Sequence, residues 1–219
     1  MLFRILHDEA SGVLSYLLGD EATREAVLID PRSSDRVVLD SVLHAERLKL
    51  RWILRTHDHE GAQPHEARRL LAWRVPLVQG RERTGVTVPT DGERLPFGNE
   101  VIQVMHTPGH TRDGLSFRWR DRVFCGGLLA TQACPLQPQP EDAAALWDSV
   151  RCRLFSLPDE TLLFAGHARR SRVVSTLLEQ RRWHPQFAAL SRDAYLARMA
   201  AKVRGVGSAG NGRSVASAR

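Results

Sequence analysis

Leu50-Arg51-Trp52-Ile53-Leu54-Arg55-Thr56-His57-Asp58-His59 is a short apolar run that ends abruptly in polar residues carrying two imidazoles. The run reads as a buried strand over 50–54, too short for a helix and rich in strand-forming side chains. His57 and His59 follow at i and i+2, a spacing that sends both rings to one side of extended backbone. Two further histidines repeat the arrangement. His110 lies in His106-Thr107-Pro108-Gly109-His110-Thr111, a Pro-Gly turn after an expected strand at 101–105. His167 lies in Ala165-Gly166-His167, directly after an expected strand at 161–164. Three strand ends therefore each deliver imidazole to a loop, the placement a zinc or iron site requires. One histidine after a strand is more often a surface or hydrogen-bonded residue than a ligand; four in this pattern favour a metal site. His7, His44, His65, His106 and His184 have no partner at ligand spacing and read as ordinary residues.

Working outward, residues 13–18 and 26–30 read as paired strands joined by the polar turn Gly19-Asp20-Glu21-Ala22-Thr23. Residues 35–48 carry apolar side chains at helical spacing (Val37, Val38, Leu39, Val42, Leu43) behind an N-cap at Ser34 or Asp35. Helices are expected over 64–73, 141–155, 172–182 and 193–203, and strands over 75–78, 86–88, 115–119 and 122–125. This order of elements gives sheets sandwiched between helices, an α/β or α+β layering. One domain over 1–203 is expected, followed by a Gly, Ser, Ala and Arg tail over 204–219 that should be disordered.

The chain has 219 residues, 42% hydrophobic and 26% charged, enough to bury one sizeable core without disulfides. The net charge of +6 invites a nucleic-acid reading, but the charge is scattered arginine, with only Lys49 and Lys202 as lysines. No basic run is interleaved with stacking aromatics, so a nucleic-acid partner is not expected. No apolar run reaches the length of a membrane span. Asp8 and Glu9 follow a short apolar start, which argues against a secretory or transit segment. Three cysteines without CxxC spacing suit a reduced cytoplasm. Oligomeric state, a homodimer included, stays open.

The His57-Asp58-His59, Pro108-Gly109-His110-Thr111 and Gly166-His167 strings resemble the metallo-β-lactamase superfamily, and within it the persulfide dioxygenases, iron-dependent relatives of glyoxalase II. The resemblance runs over about residues 2–187. It includes Leu2-Phe3-Arg4, Tyr16-Leu17-Leu18, Glu25-Ala26-Val27-Leu28-Ile29-Asp30-Pro31, Leu157-Pro158-Asp159-Glu160-Thr161, Val174-Ser175-Thr176 and His184-Pro185. It implies a single-domain αββα sandwich.

The departures bear on chemistry. Where the family continues its histidine motif with Asp-His, this chain has Gly61-Ala62. Gly127 stands where the family places a ligating aspartate, leaving a vacant ligand position. The family's Gly-Cys-Gly-Arg-Thr-Asp-Phe stretch reads Ala133-Cys134-Pro135-Leu136-Gln137-Pro138-Gln139, and His-Asp-Tyr reads His167-Ala168-Arg169. These changes remove side chains that relatives use toward glutathione, and Arg169 is the weak substrate-binding candidate that remains.

A two-metal hydrolase needs two cations and a bridging carboxylate. His167 would be the lone remnant of a second site, so thioester hydrolysis of the glyoxalase II kind is disfavoured. The expected centre is His57, His59 and His110 around one Fe(II) or Zn(II) ion, or no ion at all. Asp58 and Glu60 alternate with the histidines and should point away; Cys125 is a remote ligand candidate. The resemblance implies oxidation of glutathione persulfide or a related small thiol. The alternative is a pseudoenzyme that binds a thiol metabolite or a protein partner.

Overall fold

The computed structural model describes residues 1–59, 65–129, 134, 136–168 and 173–209. The first sheet comprises β1 (Leu2–His7), β2 (Leu14–Asp20), β3 (Glu25–Ile29), β4 (Lys49–Leu54), β5 (Leu77–Val78) and β6 (Val86–Thr87), hydrogen-bonded in that order. β1, β2 and β3 pair antiparallel; β3 through β6 pair parallel. The second sheet comprises β7 (Arg94–Phe97), β8 (Glu100–His106), β9 (Leu115–Trp119), β10 (Arg122–Gly126), β11 (Leu162–Ala165) and β12 (Val174–Thr176), in the reverse order. Only β10 and β11 run parallel there.

Strand alternation builds the layers. In β2, Leu14, Tyr16 and Leu18 face the other sheet, where they meet Phe97, Ile102, Phe117, Phe124 and Phe164. Leu17 faces outward onto Leu39 and Leu43 of α1 (Arg36–Ala45). Ile53 and Leu77 likewise meet Ala67 and Leu70 of α2 (Glu66–Leu71). On the far side, Val123 and Leu163 pack against Leu146 and Trp147 of α3 (Ala143–Asp148) and Leu177 of α4 (Leu177–Trp183). Tyr195 and Met199 of α5 (Arg192–Ala209) complete that layer. Two sheets between helices is the αββα sandwich expected. β2, β3, β9 and β10 are buried on both faces almost throughout, whereas β1, β4, β7 and β8 mix buried and exposed residues. Tyr16 binds the layers across the core: its hydroxyl donates to the carbonyl oxygen of Ala165, two residues before His167. Among the described residues no helix is long and apolar enough to cross a membrane.

Several elements differ from expectation. The helix expected over 172–182 is strand β12 and then α4, because the β-branched stretch before Leu177 pairs antiparallel with β11. Thr176 then caps α4, accepting from the Glu179 amide at 3.2 Å. β1 and β7 were not expected. β1 has one fully buried residue, Leu2, and β7 carries Pro96, tolerated on an edge strand. The helix expected over 141–155 is α3 continued by a wider π-helical segment, Ser149–Leu154, behind an Asp142 cap. In α1, Val37 and Val38 are exposed because Leu39, Val42 and Leu43 alone share the inward face. Asp35 stands at the N-cap without capping, its carboxylate taken by Arg32. α5 runs to Ala209, past its expected end at 203, and the rest of the tail lies outside the described residues.

Candidate metal centre

The centre sits where β4, β8 and β11 end. Past Leu54, the backbone N–H and the hydroxyl of Thr56 both donate to buried Asp30, each at 2.7 Å. The same hydroxyl lies 2.7 Å from Nδ1 of His57. Since that hydroxyl spends its proton on Asp30, its oxygen accepts from Nδ1–H, which leaves Nε2 of His57 with a free lone pair. Burial pushes the Asp30 carboxyl up to about 6, against the opposing pull of the Thr56 hydrogen bonds and the Arg55 charge. Asp58 turns to the other side of the strand, as its alternation requires, and accepts from Arg55 at 3.1 Å and Arg83 at 2.9 Å.

His110 is held through its carbonyl oxygen, which accepts from the amide of Glu141 and the side chain of Gln137. The preceding Gly109 has φ of +136°, and a side chain there would run into the backbone of Leu146. His167 is fixed by its neighbours: Gly166 donates to Gly126 at 2.8 Å, Leu14 donates to Gly166 at 2.9 Å, and Ala168 donates to Gly12 at 2.8 Å.

These elements bring His57, His59 and His110 together, with one nitrogen from each within 4.8 Å of the others. Ring centroids are 4.5 Å apart for His57 and His59, 5.1 Å for His57 and His110, and 5.3 Å for His59 and His110. His167 stands farther off, its ring 6.3 Å from that of His57. Burial, reinforced by the neighbouring imidazoles, pushes His110 down to about 3 and His167 to about 4. Burial moves His57 and His59 the same way. All four rings are therefore neutral near pH 7, the form in which imidazole binds a metal. Nε2 of His110 is buried and has no hydrogen-bond partner. Three neutral rings around a common point, one with an orphaned nitrogen, fit a single transition ion.

Position 127 is not open space. A Cβ on Gly127 would overlap the ring of His110, so the histidine itself occupies the room that a carboxylate would need. The strained backbone is one residue earlier: Gly126 has φ of +53°, and a side chain there would strike Thr56 and the His57 ring.

Cys125 does not join the histidines. It is buried toward α3 with its sulfur against the carbonyl of Leu129, and burial pushes its thiol up to about 12. Cys134 approaches two of the imidazoles, which the sequence reading missed: its sulfur lies 3.2 Å from Nε2 of His59 and 3.7 Å from Nε2 of His167. It stands outside the group in which the His57, His59 and His110 ligand atoms all lie within 4.8 Å of one another. The signal available was the cysteine retained within the otherwise replaced 133–139 stretch. Arg169 and Glu60 lie outside the described residues. Of the remaining histidines, His7 bonds the Ala168 carbonyl and His106 the Pro89 carbonyl, while His184 packs on Phe187.

No family profile matches the chain. It is 31% identical over 195 residues to the persulfide dioxygenase ETHE1 of Bos taurus, covering 85% of this chain and 76% of that protein. A probable hydroxyacylglutathione hydrolase of Schizosaccharomyces pombe is 32% identical over 170 residues, covering 70% and 62% respectively. Among solved structures, ETHE1 from Myxococcus xanthus superposes with a TM-score of 0.80 at 35% identity, covering 91% of this chain and 90% of that one.

Proposed function

This chain belongs to the metallo-β-lactamase superfamily, and from that premise we propose that it oxidises glutathione persulfide or a related small thiol at a single metal ion. The observation that carries this reading is the convergence of His57, His59 and His110 with nitrogens within 4.8 Å, beside a lone His167. When bound, an Fe(II) ion would supply the electron transfer that lets oxygen react with a thiol sulfur. The protein supplies the rest. Asp30 and Thr56 fix the His57 ring in the ligating tautomer, and the Gln137 and Glu141 contacts hold the His110 loop. Leu14, Leu136, His57, His59 and His167 line the cavity that opens onto the histidines. Arg32 and Arg55, on the same cavity, are already engaged by Asp8, Asp35 and Asp58. Anchoring of an anionic substrate therefore falls to residues beyond those two, with Arg169 the candidate from sequence. Three free cysteines suit a reducing compartment such as the cytoplasm.

A second reading, a chain that keeps the fold and the metal without turnover, draws on the overlap of position 127 with His110. Oxygen uptake by the iron-loaded protein with glutathione persulfide separates the two. Uptake that disappears in His57→Ala supports the oxygenase; metal binding without uptake supports the inactive reading.

A further inference from the structure

We infer that Cys134 is a fourth ligand to the ion at His57, His59 and His110, its thiolate supplying the negative charge that relatives take from a carboxylate. The inference rests on the single-metal reading above and deepens it.

The geometry is that of a ligand edge. Typical metal–nitrogen and metal–sulfur bonds in a tetrahedral zinc site place sulfur and nitrogen about 3.5 Å apart. The Cys134 sulfur lies 3.2 Å from Nε2 of His59 but outside the 4.8 Å group formed by the His57, His59 and His110 ligand atoms, so metal binding would draw it inward from its position beside His59. His110, only 7% exposed, aims an unpartnered Nε2 into the same site, and it lines one cavity with Cys134, Gly127 and Gln137. Two separate observations thus point toward a metal ligand set that includes sulfur: a sulfur close to one histidine, and an orphaned nitrogen on another that lines the same cavity.

Charge makes the same demand. A divalent ion held by neutral imidazoles alone would place two uncompensated positive charges in a largely buried site near Arg55. Among the described residues neither a carboxylate nor a cysteine sulfur lies within the 4.8 Å histidine group as it stands. Asp58 is taken by Arg55 and Arg83, Asp30 faces Thr56, and Glu66 is held by Ser33. Among the described residues, Cys134 is an ionisable group in direct contact with two of the four imidazoles, which makes it the candidate anion. As the sulfur–metal bond forms, the thiol proton leaves to solvent, the site loses one positive charge, and no electron is transferred. His167, 3.7 Å from the sulfur, acts as a positioning residue that donates to the thiolate.

Cobalt(II) titration of the metal-stripped full-length protein tests this. The expected result is one bound cobalt with a near-ultraviolet sulfur-to-cobalt charge-transfer band. Outer-sphere changes alone cost metal sites about 10–100-fold in affinity, so Cys134→Ser should weaken binding by at least about tenfold as well as lose the band. Cys134→Ala repeats the test should the serine variant fold poorly, and Cys152→Ser, at an exposed cysteine, should keep the band. Cobalt that binds without the band, yet is lost in His57→Ala, overturns the cysteine ligand and leaves the histidine centre standing. A band that survives Cys134→Ser also overturns it. No cobalt binding at all overturns the single-metal reading and the inference with it.

Discussion

The imidazole of His110 fills the space that a side chain on Gly127 would need. From sequence alone, Gly127→Asp reads as a gain of iron affinity through a rebuilt two-histidine, one-carboxylate face. The structure revises that expectation, since any side chain at 127 must first displace His110. Gly127→Ala, which tests the space without adding a ligand, should destabilise the metal-free protein by about 1–3 kcal/mol and weaken metal binding. Gly127→Asp should recover part of the metal affinity but little of the apo stability. Urea unfolding and a chelator competition measure both, and an alanine variant as stable as the parent would show the overlap to be harmless.

Thr56 links Asp30 to His57, with both hydrogen bonds at 2.7 Å. Thr56→Val keeps the shape and removes the hydroxyl, freeing the His57 ring to turn and to take either tautomer. Metal affinity should fall about 10–100-fold, with a smaller change in fold stability. Equal affinity in parent and variant would mean that the Asp30–Thr56 pair serves the backbone alone.

How far the sequence carried this account varies by element. The i, i+2 histidines were legible because strand alternation fixes their side, and Asp58 turned outward for the same reason. His110 and His167 were legible from their glycine turns. β12 was not, although Thr176 and Glu179 at cap spacing marked where α4 begins; the run of apolar residues on either side masked it. Cys134 was missed because it comes to His59 from 75 residues away in sequence, a proximity that only the folded loop creates. The filling of position 127 was missed for a similar reason: a substitution to glycine reads as a vacancy until the neighbour that occupies it is seen.

Hydrolysis of S-lactoylglutathione and of β-lactams should remain at background. By the family resemblance, Gly61-Ala62 stand for the Asp-His half-motif and Gly127 for the bridging aspartate, so a two-metal nucleophile is not expected to form. Metal-dependent turnover of either substrate, abolished in His57→Ala, would contradict this.

The metal-free protein should lose stability as pH falls. His110 and His167 are held down to about 3 and about 4, and burial moves His57 and His59 in the same direction. In the unfolded chain each titrates near about 6.5. Below that value the unfolded chain binds more protons than the folded one, so stability drops from about pH 6.5 toward the folded values. Asp30, raised to about 6 from 3.8, acts in the opposite sense between those values, one group against four. Urea midpoints of stripped protein should fall between about pH 7 and about pH 5, and less steeply in His110→Gln. A flat profile would mean the rings are protonated in the folded state.

Elemental analysis of protein purified without added metal and without a histidine tag tests the central claim most directly. The account predicts no more than one iron or zinc per chain, lost in the His57→Ala, His110→Ala double variant. Two tightly held metals per chain, or metal content unchanged in the double variant, would contradict it.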